Sequence, residues 1–110
     1  MIRVRVRRDE AGRITGFTVQ GHAGFAEAGR DIVCAGVTAV VFTALLGLRS
    51  VARIPHAVRQ EDREGYVDCR LEPGTPEAER TAQAILETMV LGLRDIEKDY
   101  GGYVRVTEGG

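Results

Sequence analysis

A chain of 110 residues, 44% apolar and 28% charged, has the size and composition of one globular domain with a single core. Its formal net charge of −1 excludes a global field that would draw it to nucleic acid or to an anionic membrane. Two cysteines, Cys34 and Cys69, are too few for a disulfide framework, and two free thiols are the expectation.

In chain order, Ile2 to Arg7 alternates strictly, with Ile2, Val4 and Val6 on one face and Arg3, Arg5 and Arg7 on the other. That is the pattern of a half-buried strand. Its arginine row reads as a solvated sheet face, since no aromatic residues interleave with it, and direct nucleic-acid binding is not expected. The N-terminus MIRVRVRR has no apolar core, so no secretory signal is expected there. Asp9-Glu10-Ala11-Gly12 is turn chemistry, and Ile14 to Gln20 follows as the second strand of a hairpin.

Gly21 to Arg30 (GHAGFAEAGR) holds three glycines and no periodicity, and it reads as a flexible loop. Asp31 then suits the N-cap of a helix that begins at Ile32 and stops by Arg53, ahead of Pro55. The uncharged stretch Ile32 to Leu48 reaches only the short limit of a bilayer span. A helix apolar all round is equally a buried core helix, which is the reading adopted.

Two more strands, His56 to Glu61 and Tyr66 to Leu71, flank the turn Asp62-Arg63-Glu64-Gly65. Thr75-Pro76-Glu77 starts a second helix with the apolar stripe Ile85, Met89, Leu93 and Ile96, ended by Gly101-Gly102. Tyr103 to Thr107 is a last short strand. The order ββαββαβ makes a single α+β domain spanning 1–110, without repeats or linkers.

Cys34 is the third residue of the expected helix, where unpaired amides and the positive dipole end favour a thiolate. His22 stands twelve positions earlier, across a loop able to fold back. Cys and His so placed are the minimum for a sulfur nucleophile and its acid/base partner. Asp31 and Thr38, three and four residues from Cys34, share its helix face. Asp31 can cap the helix, orient His22, or do both, and amides at the helix start are candidates for an oxyanion site. The spacings of His22, Cys34, His56 and Cys69 fit no metal pattern, so neither metal nor cofactor is expected. Cys69, mid-strand on the apolar face, reads as structural.

Two further classes remain open on residue types alone. One is a non-catalytic ribosome-associated or RNA-binding module using Arg3, Arg5, Arg7 and Arg8. The other is a thiol redox or acyl-carrier protein that uses Cys34 and is indifferent to His22.

The joined motifs GHAG…DIVCAGVTAVV, from Gly21 to Val41, resemble the signature of the ribosomal-processing cysteine proteases. The resemblance covers the whole chain in length and element order. It implies a cytoplasmic enzyme that removes an N-terminal extension from the large-subunit ribosomal protein numbered twenty-seven, after a pair of phenylalanines. It further implies Cys34 as nucleophile, His22 as base, Gly21 and Asp31 in support, and a homodimer. The family usually carries Ser where this chain has Thr38, and commonly Ala where it has Gly36. A homodimer also follows from burial, because one small sheet covers only about one side of a helix that has no charged face.

Overall fold

The computed structural model describes residues 1–21, 28–61 and 65–109, with backbone alone for 28–31. Strand β1 (Ile2–Arg8) and strand β2 (Ile14–Gln20) form the expected antiparallel hairpin. Its turn is closed by Asp9, whose Oδ1 accepts from the amides of Ala11 and Arg13 at 2.9 and 3.0 Å. Gly12 there adopts φ 83°, a left-handed geometry that favours glycine. Helix α1 (Ala28–Gly47) follows, continued by a π-helical turn over Leu48–Ala52. Strands β3 (His56–Glu61) and β4 (Tyr66–Leu71) pair antiparallel, and helix α2 (Pro76–Tyr100) leads to β5 (Val104–Gly109).

The five strands make one sheet in the order β3-β4-β2-β1-β5, antiparallel except where β5 lies parallel to β1. Both helices cover the same face. Val4, Val6, Phe17, Cys69 and Val104 point inward from the strands, to meet Val33, Val37 and Val41 of α1 and Leu86, Met89 and Leu93 of α2. No polar or charged side chain is buried among the described residues. The opposite sheet face is uncovered and polar.

Three expectations change. Helix α1 begins at Ala28, four residues ahead of Ile32, so Asp31 lies within the helix and is not its N-cap. Alanine is the best helix former, and helical geometry propagates back through Ala28, Gly29 and Arg30. The C-terminal part of the expected loop is therefore helical, while residues 22–27 lie outside the described residues. At the other end the stop before Pro55 holds: Arg53 takes a left-handed geometry (φ 54°, ψ 43°) and its N–H donates to the Leu48 carbonyl.

The start of α2 matches its sequence pattern, with Thr75 Oγ1 accepting from the Ala78 amide at 3.1 Å and Pro76 at the first helical position. Its buried face is wider than the expected stripe. Ala78, Ala82, Leu86 and Val90 are buried beside Met89 and Leu93, and Ile85 and Ile96 flank them half-buried. Strand β5 is shifted to Val104–Gly109. An ion-pair network holds it to β1 and α2, with Glu108 bonded to Arg8 at 2.7 Å and to Arg94 at 2.9 Å.

Candidate active site

Cys34 is the seventh residue of α1 and not the third, because the helix starts earlier than its sequence suggests. An α-helix bonds each amide to the carbonyl four residues back, so the amide of Cys34 lies inside the ladder, beyond the unpaired first turn. The helix-start argument for a thiolate and for an oxyanion site at Cys34 therefore fails. What positions the thiol is packing. Val33, Val37 and Val41 plant one side of α1 in the core, and Cys34, half-buried, lies at the margin of that contact.

Beside it is a cavity of about 190 Å3, between α1 and the end of the sheet where β1 begins and β2 ends. Cys34, Thr38 and Gly21 all line it, so three residues singled out in the sequence meet at one place. Thr38, one turn beyond Cys34, is exposed. Gly21 has φ +88°, and a Cβ there would stand 2.4 Å from the Met1 carbonyl oxygen. Only glycine lets the chain leave β2 so close to the Met1 backbone. His22, the next residue, lies outside the described residues, and so does the side chain of Asp31.

The rest of the wall carries no local signal in the sequence. Phe42 comes from α1, Ile2 and Val19 from β1 and β2, and Tyr66 and Val67 from β4. The wall is mainly apolar, with Gln60 and Glu61 at the β3 side. Glu61 is bound to Arg59 at 2.8 Å, and the Arg59 guanidinium sits 5.8 Å from the centre of the Tyr66 ring. Hairpin β3–β4 is evident from alternation, but its place beside Cys34 depends on the crossed strand order β3-β4-β2.

The second thiol is placed otherwise. Cys69 on β4 is fully buried, and burial, with Asp68 adding to it, pushes its pKa up to about 11. Such a group is a small hydrophobe, not a nucleophile. Among the described residues no cluster of His, Cys, Asp and Glu is arranged to hold a metal ion.

Residues 1–105 match the family described as Cysteine protease Prp. The molecule is therefore a cysteine protease, built as a single α+β domain. Its sequence is 41% identical over 108 residues to the ribosomal processing cysteine protease Prp of Bacillus subtilis (strain 168), covering 97% of this chain and 96% of that one. Its fold matches the essential ribosomal processing protease Prp from S. aureus in complex with a substrate peptide, with a TM-score of 0.87, 30% identity, and coverage of 98% and 99% of the two chains. The same S. aureus protease with a covalently linked product peptide matches with a TM-score of 0.85, at the same identity and coverage. The chain belongs to the ribosomal processing cysteine protease (Prp) family.

Proposed function

We propose that this protease removes the N-terminal extension of the large-subunit ribosomal protein numbered twenty-seven, in the cytoplasm, with Cys34 as nucleophile and His22 as its base. The observation that carries the reading is the Cys34 thiol at an apolar cavity shared with Thr38 and Gly21, in a chain of this family. His22 takes the Cys34 proton, and the sulfur attacks the scissile carbonyl to give a thioester. The amine leaves with that proton, and water then hydrolyses the thioester and restores the thiol. A relative crystallised with a covalently linked product peptide supports this order of events. Phe42, Val19 and Val67 on the cavity wall suit a large apolar side chain next to the cut, as cleavage after two phenylalanines demands. Asp31 is assigned a supporting role through His22, since capping is no longer open to it. The test is to mix the protein with the extended ribosomal protein and read the product masses. A shortened protein with wild-type enzyme, and none with Cys34→Ala, is the expected result. Unchanged substrate with wild-type enzyme overturns the reading.

The same proposal includes a symmetric homodimer. One face of α1 and its π-helical extension leaves Ile32, Leu46 and Val51 more than half exposed, at 65%, 54% and 70%. Between α1 and α2 runs a groove of about 610 Å3, lined by Val40, Thr43, Gly47, Ile85 and Met89 among others. The segment Ile32–Ala52 is long and apolar enough, by length and composition, to cross a membrane. Its burial of Val37, Val41 and Leu48 in the same core as the strands favours a core helix, with the outward side covered by a second copy. Sedimentation at micromolar concentration should give about twice the 12.0 kDa chain mass, and a monomer mass rules the dimer out.

A further inference from the structure

The sheet face turned away from the helices carries a charge that neither the net charge nor any single strand discloses. Across one row of the register stand Arg105 of β5, Arg3 of β1, Gln20 of β2, Tyr66 of β4 and Glu61 of β3. The next row is Thr107, Arg5, Thr18, Asp68 and Arg59. The third holds Arg7, Gly16, Arg70 and Ala57. These outward positions hold six arginines against two carboxylates, an excess of four positive charges. On a chain of net charge −1, everything else then carries about −5.

Both carboxylates are already taken. Arg7 lies across Gly16 to reach Asp68 at 3.1 Å, Thr18 Oγ1 at 2.8 Å and the Cys69 carbonyl at 3.0 Å. Glycine makes that path possible, since a Cβ at residue 16 would stand 2.6 Å from the Arg7 guanidinium. Arg59 holds Glu61. Arg3, Arg5, Arg70 and Arg105 have no hydrogen-bond or ion-pair partner among the described residues. Arg3 and Arg105 are direct neighbours across parallel strands, about 4.8 Å apart at the backbone, and Arg5 follows Arg3 by about 6.7 Å. Like charges so close destabilise a sheet. Nothing in the fold calls for them there.

We propose that the arginine-rich part of this open face, centred on Arg3, Arg5 and Arg105, docks RNA through its phosphates; the cavity at Cys34 adjoins the face at Tyr66 and Glu61 and does not include these arginines. The chemistry of the face selects that partner. Beside the arginines it carries polar side chains, with Thr18 bonded to Arg7 and Asp68 and Thr107 to the Val4 carbonyl, and no large aliphatic side chain. A protein partner needs an apolar or aromatic anchor cluster at the centre of its interface, and a membrane surface needs an apolar face to bury. A phosphate backbone needs only cations and hydrogen-bond donors on an even surface, and the planar arginine fork suits it. The expectation from β1 alone, that the arginine row is merely solvated, lacks Arg105 and Arg70, which only the strand order brings alongside.

The test uses the full chain and a labelled single-stranded RNA oligonucleotide of mixed sequence, read by fluorescence anisotropy from low to high salt. The wild-type protein should bind at low salt and lose affinity steadily as salt rises. Arg3→Gln/Arg5→Gln/Arg105→Gln should bind at least about tenfold more weakly and show a log–log salt slope smaller by roughly 2, at about 0.7 per lost phosphate contact. Its peptide cleavage should be unchanged, and Cys34→Ala should bind RNA as the wild type does. If the triple variant does not fold, Arg3→Gln and Arg105→Gln singly should each reduce the slope by about 0.7. Absence of binding at low salt, or a slope unaltered by the substitutions, overturns the proposal. Equal competition by polyglutamate or by phosphatidylglycerol vesicles also overturns it, by making the face a site for acidic protein or for membrane.

Discussion

Cys34 and Cys69 lie in one small domain and differ in almost every respect that matters to a thiol. Cys69 is on β4, an interior strand between β3 and β2, with its side chain fully buried against Phe17 of the next strand. Cys34 is on α1, at the edge of the helix–sheet contact, half-buried and open to a cavity. The core surrounds the first and passes to one side of the second. Strand alternation alone is enough to bury a residue such as Cys69. Exposing a residue such as Cys34 requires two elements that meet imperfectly, here α1 and the end of the sheet, and the misfit is where a substrate can enter.

The largest test of that difference is substitution by alanine. Cys34→Ala should lower cleavage by a factor on the order of 10^4 or more while leaving the thermal midpoint close to wild type, as loss of a nucleophile does. Cys69→Ala should cleave normally but melt earlier, because it leaves a small void in the core. An active and folded Cys34→Ala enzyme would sink the assignment of the nucleophile.

Reaction with a thiol reagent sharpens the contrast without altering the chain. In native protein Cys34 should alkylate readily. Cys69 should wait for global opening, slower by a factor of about 10^3 or more, since β4 is hydrogen-bonded on both sides. Mass spectrometry of the labelled peptides reads both rates. Comparable rates would mean that β4 opens locally and that the sheet is less cooperative than its pairing indicates.

Much of this contrast is legible in the amino-acid sequence. Strand β2, strand β3 and strand β4 have the limits that alternation and turn residues predict, since two-residue periodicity is a local signal that tertiary packing reinforces. The start of α1 departs from its predicted place for an equally local reason. Asp31 is a good cap by type, but Ala28 and Arg30 favour helix and Gly29 does not break it, so the helix extends past Asp31. The meeting of Cys34, Thr38 and Gly21 agrees with their motif spacing. The apolar wall from Phe42, Tyr66 and Val67 has no such signal, because it follows from where β4 sits in the sheet.

Alkali should expose the same difference through stability. The Cys69 thiol has its folded pKa raised to about 11 from an ordinary 9.0, by burial first and by Asp68 second. Between these values the unfolded chain releases the proton and the folded one keeps it. The stability from Cys69 is then present in full below pH 9 and falls as pH rises to 11. The span corresponds to roughly 2–3 kcal/mol, near a factor of 100 in the folding equilibrium. Urea titrations at intervals from pH 8 to pH 11 should show this loss in wild type and a shallower one in Cys69→Ala. Other groups titrate in both proteins, so the difference between the two curves isolates the thiol. Parallel curves would place Cys69 in contact with water.

The smallest expected effect belongs to Thr38, and it asks how much of the site at Cys34 is chemistry and how much is shape. Thr38 lies one helical turn from the thiol on the wall of the same cavity, and its hydroxyl has no hydrogen-bond partner among the described residues. An exposed hydroxyl at such a position is available to a bound peptide or to the reacting groups. If it donates or accepts there, Thr38→Val removes the bond and retains the volume, lowering turnover by about tenfold, as loss of one hydrogen bond does. Thr38→Ser restores the hydroxyl and removes only the methyl group, so it should remain active. Equal turnover in wild type, Thr38→Val and Thr38→Ser would reduce the residue to a spacer. The site would then rest on Cys34 and its base, with the turn of α1 beyond the thiol serving only to shape the cavity. Activity in Thr38→Ser with loss in Thr38→Val makes the hydroxyl part of the reaction, and a rise in KM without change in kcat would assign it to holding the peptide.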